Sequence, residues 1–283
     1  MNVYEIVTDR IIKKLEEGTI PWHKPWMNVS AGAFNRVSRK PYSLLNQMLL
    51  SHEGEYATFR QWSALGGHIK KGAKAEMVVF WKMLAPKDST AEEEPAKARP
   101  ILRYYNVFHF SDVEGVEPLQ AEGLRDTCPL ESAETIFRDY VAREHIKTEI
   151  ALSNQAFYSP AKDLIHLPDI RQYENASDYY SVVFHEAAHS TGHHKRLARF
   201  DEGTPPAPFG TEDYSKEELV AELGSATIMN TLGLETSETF RNSAAYIQNW
   251  TSVLKNDNRF IVSASARGDK AARYILGKEL DAA

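Results

Sequence analysis

Apolar positions along the first seventeen residues recur with helical spacing: Val3, Ile6, Val7, Ile11 and Leu15 form one stripe, with acids and bases between them. Gly18 ends the pattern, and residues 20–26, with Pro21 and Pro25, are too proline-rich for a helix or a central strand. Leu44, Leu45, Met48 and Leu49 predict a short helix over 43–51, and Thr58 is placed to cap another that Gly66-Gly67 closes. The pattern then changes. Residues 75–84 and 101–110, dense in Val, Phe, Trp and Tyr, predict two strands paired as a long hairpin across a polar insertion at 85–100. Residues 111–129 are acidic and turn-rich and mark a boundary. Beyond it the sequence predicts a helix over 131–147, a strand over 148–152, and a hairpin of 156–158 with 163–168. Helices are expected over 178–193, 215–232 and 239–255, with a helical pair between 257 and 280. The class is α+β in two domains: 1–128, mixed, and 129–283, mainly helical with a small antiparallel sheet.

The 283 residues, 42% hydrophobic and 25% charged, can bury a sizeable core and contain no apolar run of membrane-spanning length. The N-terminal stretch lacks the basic-then-apolar layout of a signal peptide. A single cysteine, Cys128, leaves no internal disulfide framework and fits a reducing cytoplasm. The net charge of −6 is unevenly spread: residues 1–110 carry +5 and residues 111–283 carry −11. The first part is therefore expected to meet something anionic.

Its bases lie among aromatic residues. Trp22 and Lys24 stand in the proline-rich segment, and Arg36, Arg39 and Lys40 in a loop flanked by Phe34 and Tyr42. Lys70, Lys71 and Lys74 form the turn before the first hairpin strand, and Arg103 sits on the second beside Tyr104 and Tyr105. Bases that can pair phosphates beside rings that can stack nucleobases suit single-stranded nucleic acid held without sequence reading.

The second part carries His185-Glu186-Ala187-Ala188-His189 on the segment predicted as a buried helix. Residues four apart share a helix face, so His185 and His189 can hold one metal ion. Glu186, one step round, is free to take a proton from an activated water. Gly192 is expected to end the helix as a left-handed cap. A catalytic zinc needs a third protein ligand. Position 195 is lysine, which excludes the long pattern that ends in a third histidine. The alternative is a carboxylate from the helix containing Glu217, Glu218 and Glu222. Glu218 is the expected ligand and Glu222 the acceptor that fixes a histidine tautomer, with Glu217 and Glu222 as alternative ligands. The strand ending at His166-Leu167-Pro168 is expected to offer an edge for an extended peptide, with His166 and Tyr214 as candidates for steadying an oxyanion.

Over nearly its whole length the chain resembles the ArdC-type antirestriction proteins of conjugative plasmids and phages. In the second half the likeness rests on 185–193 with Arg196-Leu197 and on 217–223, which look like that family's zincin-type metallopeptidase domain. In the first half it rests on Pro21-Trp22, Pro25-Trp26, Asn35, Tyr42, Asn46, the segment 58–72 and the strand 104–108. These look like the family's single-stranded-DNA-binding domain. The resemblance implies a cytoplasmic protein that covers incoming single-stranded DNA and blunts restriction. It does not establish that the peptidase cuts anything; the motif itself leads us to expect Zn2+, which Mn2+ or Co2+ could also replace, and a host protein is the expected partner if a peptide is cut. Two other readings stand beside it: a DNA binder with a catalytically silent zinc site, and a regulatory zinc metalloprotease whose first domain binds protein.

Overall fold

The computed structural model describes residues 2–17, 32–84, 99–119, 129–201, 211–234 and 244–278. The chain is α+β, as expected. Helix α1 (Val3–Glu16) starts at a capping box, in which the Asn2 side chain accepts from the Glu5 amide and the Glu5 carboxylate accepts from the Asn2 amide. Strands β1 (Ala33–Asn35), β2 (Gly54–Ala57), β4 (Glu76–Leu84) and β5 (Arg99–His109) form one sheet, in the order β1-β2-β5-β4. The expected hairpin is β4 with β5, in register from Glu76↔Val107 to Leu84↔Arg99. Between β1 and β2 lies α2 (Leu44–Leu49). Between β2 and β4 lie α3 (Phe59–Ala64), capped by Thr58 as expected, and the short strand β3 (His68–Ile69). β3 pairs with β6 (Val113–Glu114), so the segment taken for a plain boundary begins as structure.

Two buried amides tie α2 to its neighbours. Asn46 exchanges two hydrogen bonds with the Val79 backbone, at 2.8 and 2.9 Å, and extends the edge of β4 by one false strand residue. Gln47 does the same for Ala33, at 2.9 and 2.8 Å. A buried amide left without partners would cost several kcal/mol, and these side chains therefore fix where α2 sits.

The second part holds α4 (Pro129–Arg143), β7 (Lys147–Ala151), β8 (Phe157–Ser159) and β9 (Leu164–Pro168). After these come α5 (Ala176–Ser190), α6 (Glu212–Leu232), α7 (Ala244–Asn256) and α8 (Phe260–Ile275). The small sheet, in the order β7-β9-β8, is mixed rather than antiparallel: β7 runs parallel to β9, and β8 antiparallel to it. β9 is consequently the central strand, and the open edges belong to β7 and β8. A single helix, α8, stands where a helical pair was expected. No helix among the described residues is long and apolar enough to cross a membrane.

The helices α5, α6 and α8 approach unusually closely. A Cβ on Gly224 would lie 3.1 Å from the Ala188 Cβ, and one on Gly268 would lie 2.9 Å from the Leu223 Cβ. The absent side chains let α6 nest between the other two, bringing its acids within reach of the α5 histidines.

The boundary expected at 128/129 falls beside residues 120–128, outside the described residues. The packing does not give the two expected domains separate cores. Val7, Ile11, Ile12 and Leu15 of α1 share one core with Leu44 and Met48 of α2, Met77 and Val79 of β4, and Trp250, Leu254 and Ile261 of the last helices. α1 packs chiefly against α7. The Thr8 hydroxyl donates to the Asn258 carbonyl at 2.6 Å, and Lys255 pairs with Glu16 at 2.7 Å. Among the described residues, the first part keeps only small cores to itself, one around Tyr56, Val78 and Val107 and another around Trp62.

Candidate metal centre and aromatic face

α5 begins at Asn175, whose side chain accepts from the Asp178 amide at 2.8 Å. Val183, Phe184, Ala187 and Ala188 are fully buried and anchor the helix in the second core. That leaves His185 and His189 on the face turned toward α6. The helix closes at Thr191 in right-handed geometry, so Gly192 is not the left-handed cap expected. Its smallness serves packing instead: a Cβ there would lie 2.6 Å from the Phe200 ring.

Across from the histidines, α6 presents three acids. His185 Nε2 lies 3.5 Å from Glu218 Oε2, His189 Nε2 lies 3.3 Å from Glu218 Oε1, and the two Nε2 atoms are 3.1 Å apart. The donor atoms of His185, His189 and Glu218 lie within 4.8 Å of one another. On the far side of each ring a carboxylate faces Nδ1: Glu222 for His185 at 3.4 Å, and Glu217 for His189 at 3.3 Å. Two imidazoles with Nε2 converging, each Nδ1 backed by an acid, plus one further carboxylate, fit a divalent transition metal with an open position. Glu186 is buried beside them, 7% exposed, and its charge acts on both imidazoles. Burial opposes protonation of His189, but Glu217 and Glu218 outweigh it and raise its pKa to about 9. Burial likewise pushes Glu218 up, while the two histidines pull it well below the carboxylate range.

The structure thus brings His185, Glu186, His189, Glu218 and Glu222 together. It gives Glu217, an alternative ligand in the sequence reading, a different place, because Arg199 grips it. The sequence gives no sign of Arg199, and of Arg196 it gives a place in the family pattern but no role; Arg196 donates to Ser190 O at 2.7 Å, to the Tyr158 hydroxyl at 2.9 Å and to Asp163. The turn after α5 is held on both sides by these two guanidinium groups. His166 is not free for an oxyanion: its ring stacks on Phe157, with centroids 5.0 Å apart, and its Nδ1 faces Glu149. Tyr214 stands in the first turn of α6. β8, an open edge, lies against α5 and takes the place expected for β9 as a strand along which a peptide could extend.

The basic residues of the first part divide. Trp22 and Lys24 lie outside the described residues. Arg36 is withdrawn from any anion, since it pairs with Glu55 and donates to the Glu117 carbonyl at 3.1 Å. That pairing corrects its expected part in DNA contact. Arg39, Lys40, Lys70, Lys71, Lys74 and Arg103 are exposed, although Lys70 also donates to Ser111 O at 2.8 Å.

Strand alternation places Val78, Phe80 and Lys82 of β4 on one face with Arg103, Tyr105 and Val107 of β5. Val78 and Val107 are buried in the small core, and from there the face opens outward. Phe80, 39% exposed, packs on Tyr105 with ring centroids 5.3 Å apart and has Arg103 as its cross-strand neighbour. Burial pushes the Tyr42 hydroxyl up to about 12, and neighbouring Tyr105 adds to the shift. Phe80 and Tyr105 thus make a ring pair on the face that carries Lys82 and Arg103, and Tyr42 packs against the same small core as Tyr105. The sequence reading had the strand but not which rings share a face.

Residues 131–267 match the family model described as a zincin-like metallopeptidase, and residues 1–108 match the N-terminal domain of the anti-restriction factor ArdC. Two crystal structures of the antirestriction ArdC protein from plasmid R388 are similar to this chain throughout. The Mn(II)-bound form is 30% identical with a TM-score of 0.74, covering 98% of both chains. The metal-free form is also 30% identical, with a TM-score of 0.76, covering 99% of this chain and 100% of that one. An uncharacterised protein, y4eC of Sinorhizobium fredii, is 31% identical over 99% of this chain and 94% of its own length. Two DNA primases TraC of Escherichia coli are 31% identical over 98% of this chain, which spans only 27% and 20% of their lengths.

Proposed function

Since the chain belongs to the ArdC antirestriction family, we propose that it binds single-stranded DNA with little sequence preference and carries a working metallopeptidase centre, acting in the cytoplasm. The observation that carries the peptidase reading is the convergence of His185, His189 and Glu218 beside buried Glu186. These three residues would hold Zn2+, or Mn2+ or Co2+ in its place. A divalent ion there would supply Lewis acidity, lowering the pKa of water to about 7 and polarising a peptide carbonyl. Glu222 and Glu217 keep the histidine Nδ1 protons in place, so that both Nε2 atoms present lone pairs inward. Glu186 takes the proton of the attacking water and returns it to the leaving amine. The open β8 edge beside α5 supports an extended peptide, chosen from host protein, as the substrate class.

Support for the DNA reading comes from the Phe80–Tyr105 ring pair, with Arg103 and Lys82 on the same face, and from the exposed Arg39 and Lys40 just before Tyr42. Rings stack any base, and exposed bases pair phosphates wherever the strand runs. Lys70, Lys71 and Lys74 lie at the other end of β4 and would extend the path by about 14 Å, four strand residues at about 3.4 Å each. The deciding experiment is proteomics of host cells expressing the wild type beside Glu186→Gln, with protection against restriction scored in the same cells. New host-protein termini seen only with the wild type are expected. Identical peptide sets would leave the metal centre without catalytic work and DNA covering as the whole activity.

A further inference from the structure

Three acids on α6 face two histidines on α5, and nothing in their spacing says which becomes a ligand. We propose that Arg199 is the positioning residue that makes the choice, committing Glu217 to His189 Nδ1 and so reserving the metal for Glu218. The proposal rests on the metal-centre reading above.

The geometry is specific. Arg199 Nη2 donates to Glu217 Oε1 at 2.7 Å and Nε donates to Glu217 Oε2 at 3.1 Å. Glu217 Oε1 also faces His189 Nδ1, at 3.3 Å. Both carboxylate oxygens are therefore engaged away from the centre, whereas Glu218 turns one oxygen to each Nε2. A guanidinium matches a carboxylate two bonds at a time and fixes its plane, which a lysine cannot do. Arg199 is itself immobilised: Nη1 donates to Thr191 Oγ1 at 2.8 Å and Nη2 to the Ala188 carbonyl at 2.9 Å. It thereby ties the end of α5 to the acid on α6. The acid behind His185 is a different one: its Nδ1 lies 3.4 Å from Glu222 Oε2, a turn further along α6.

The test is Zn2+ affinity, measured by competition with a chromophoric chelator on the full chain, for wild type, Arg199→Gln, Glu217→Gln and the double variant. Visible spectra of the Co2+-loaded proteins are taken alongside. Arg199→Gln should weaken Zn2+ by about 10- to 100-fold, the usual effect of losing an outer partner of a ligand. Its Co2+ spectrum should shift as Glu217 becomes free to compete with Glu218. In the Glu217→Gln background the same arginine change should cost little and leave the spectrum unmoved. Should Arg199→Gln fail to fold, Arg199→Lys carries the same cycle, keeping the charge but losing the paired bonds, with a smaller loss expected that again vanishes beside Glu217→Gln. Additive losses in the cycle, with an unchanged Co2+ spectrum, would reduce Arg199 to a cap on α5 and overturn the proposal alone. A wild-type chain that takes up no Zn2+ would overturn it together with the metal-centre reading.

Discussion

The metal centre and the aromatic face solve opposite problems. At the centre the histidine nitrogens and glutamate oxygens are mostly shielded, aimed and held from behind, on two helices brought close by missing side chains. On the hairpin the rings are part exposed and, among the described residues, most of the bases form no ion pair. Chemistry on a single bond needs donors fixed to within fractions of an ångström. Holding a flexible polymer of any sequence needs rings and charges that each contribute a little and tolerate displacement. Arg36 shows the division from the other side: once locked to Glu55 it belongs to the architecture and not to the surface.

The sharpest way to break the comparison is to cut the chain between the halves. If the aromatic face were a module, residues 1–128 would fold and bind DNA alone. The shared core predicts otherwise. Each buried aliphatic side chain is worth ~1.5–3 kcal/mol, so uncovering a few of those on α1 removes most of the ~5–15 kcal/mol a domain has. Circular dichroism and amide exchange of the fragment should show a largely unfolded chain, and a cooperative transition would refute the shared-core argument.

Next in size is Glu186→Gln, which keeps shape and removes the base. Peptide hydrolysis should fall by about 10²–10⁴-fold, with metal content and DNA affinity unchanged. A loss of DNA affinity in this variant would show that the two regions are energetically one site.

On the hairpin, Phe80→Ala should weaken single-stranded DNA by ~1–3 kcal/mol, the value of one stacked base, and leave metal uptake alone. Binding should also weaken steeply with salt, and a flat salt dependence in a filter or fluorescence titration would count against phosphate pairing. Gly268→Ala inverts the pattern. Its new methyl, 2.9 Å from the Leu223 Cβ, should cost ~1–3 kcal/mol of stability by overpacking. It should loosen metal by shifting α6, with DNA affinity preserved.

The smallest effect expected is of pH on the turn after α5. Burial pushes the Asp163 carboxyl up, but hydrogen bonds from Arg196 and Tyr158 outweigh it and hold the carboxyl below its ordinary value. A folded pKa below the unfolded one gives stabilisation that is complete above about pH 4 and drains as pH falls through the folded value. The Tm advantage of wild type over Asp163→Asn should shrink below about pH 4, and an advantage independent of pH would show that the pair acts by shape alone.

Much of the centre was legible because a helix has one strong period. His185 and His189 had to share a face, and Glu218 and Glu222, also four apart, had to share another. Glu217 was not legible. It lies about 100° round the helix from Glu218, and only Arg199, delivered by a turn whose path depends on Phe200 packing over Gly192, decides where it points. Strands of two to four residues, such as β2, β3 and β6, carry too little alternation to be seen. β9 was misread as an edge because its parallel partner β7 is not its neighbour in the chain. The hairpin strands were legible from composition, but which rings share a face depends on register, and a slip of one residue would exchange them.

The contact between Thr8 and Asn258 sets an order of events in the cell. A ribosome adding about 5–20 residues per second makes α1 early and must travel a further 250 residues before the last partner of its apolar stripe emerges. For about 12–50 s at those rates the nascent chain holds that stripe without its final cover. The core beneath the aromatic face is therefore completed only once the segment around Asn258 has emerged.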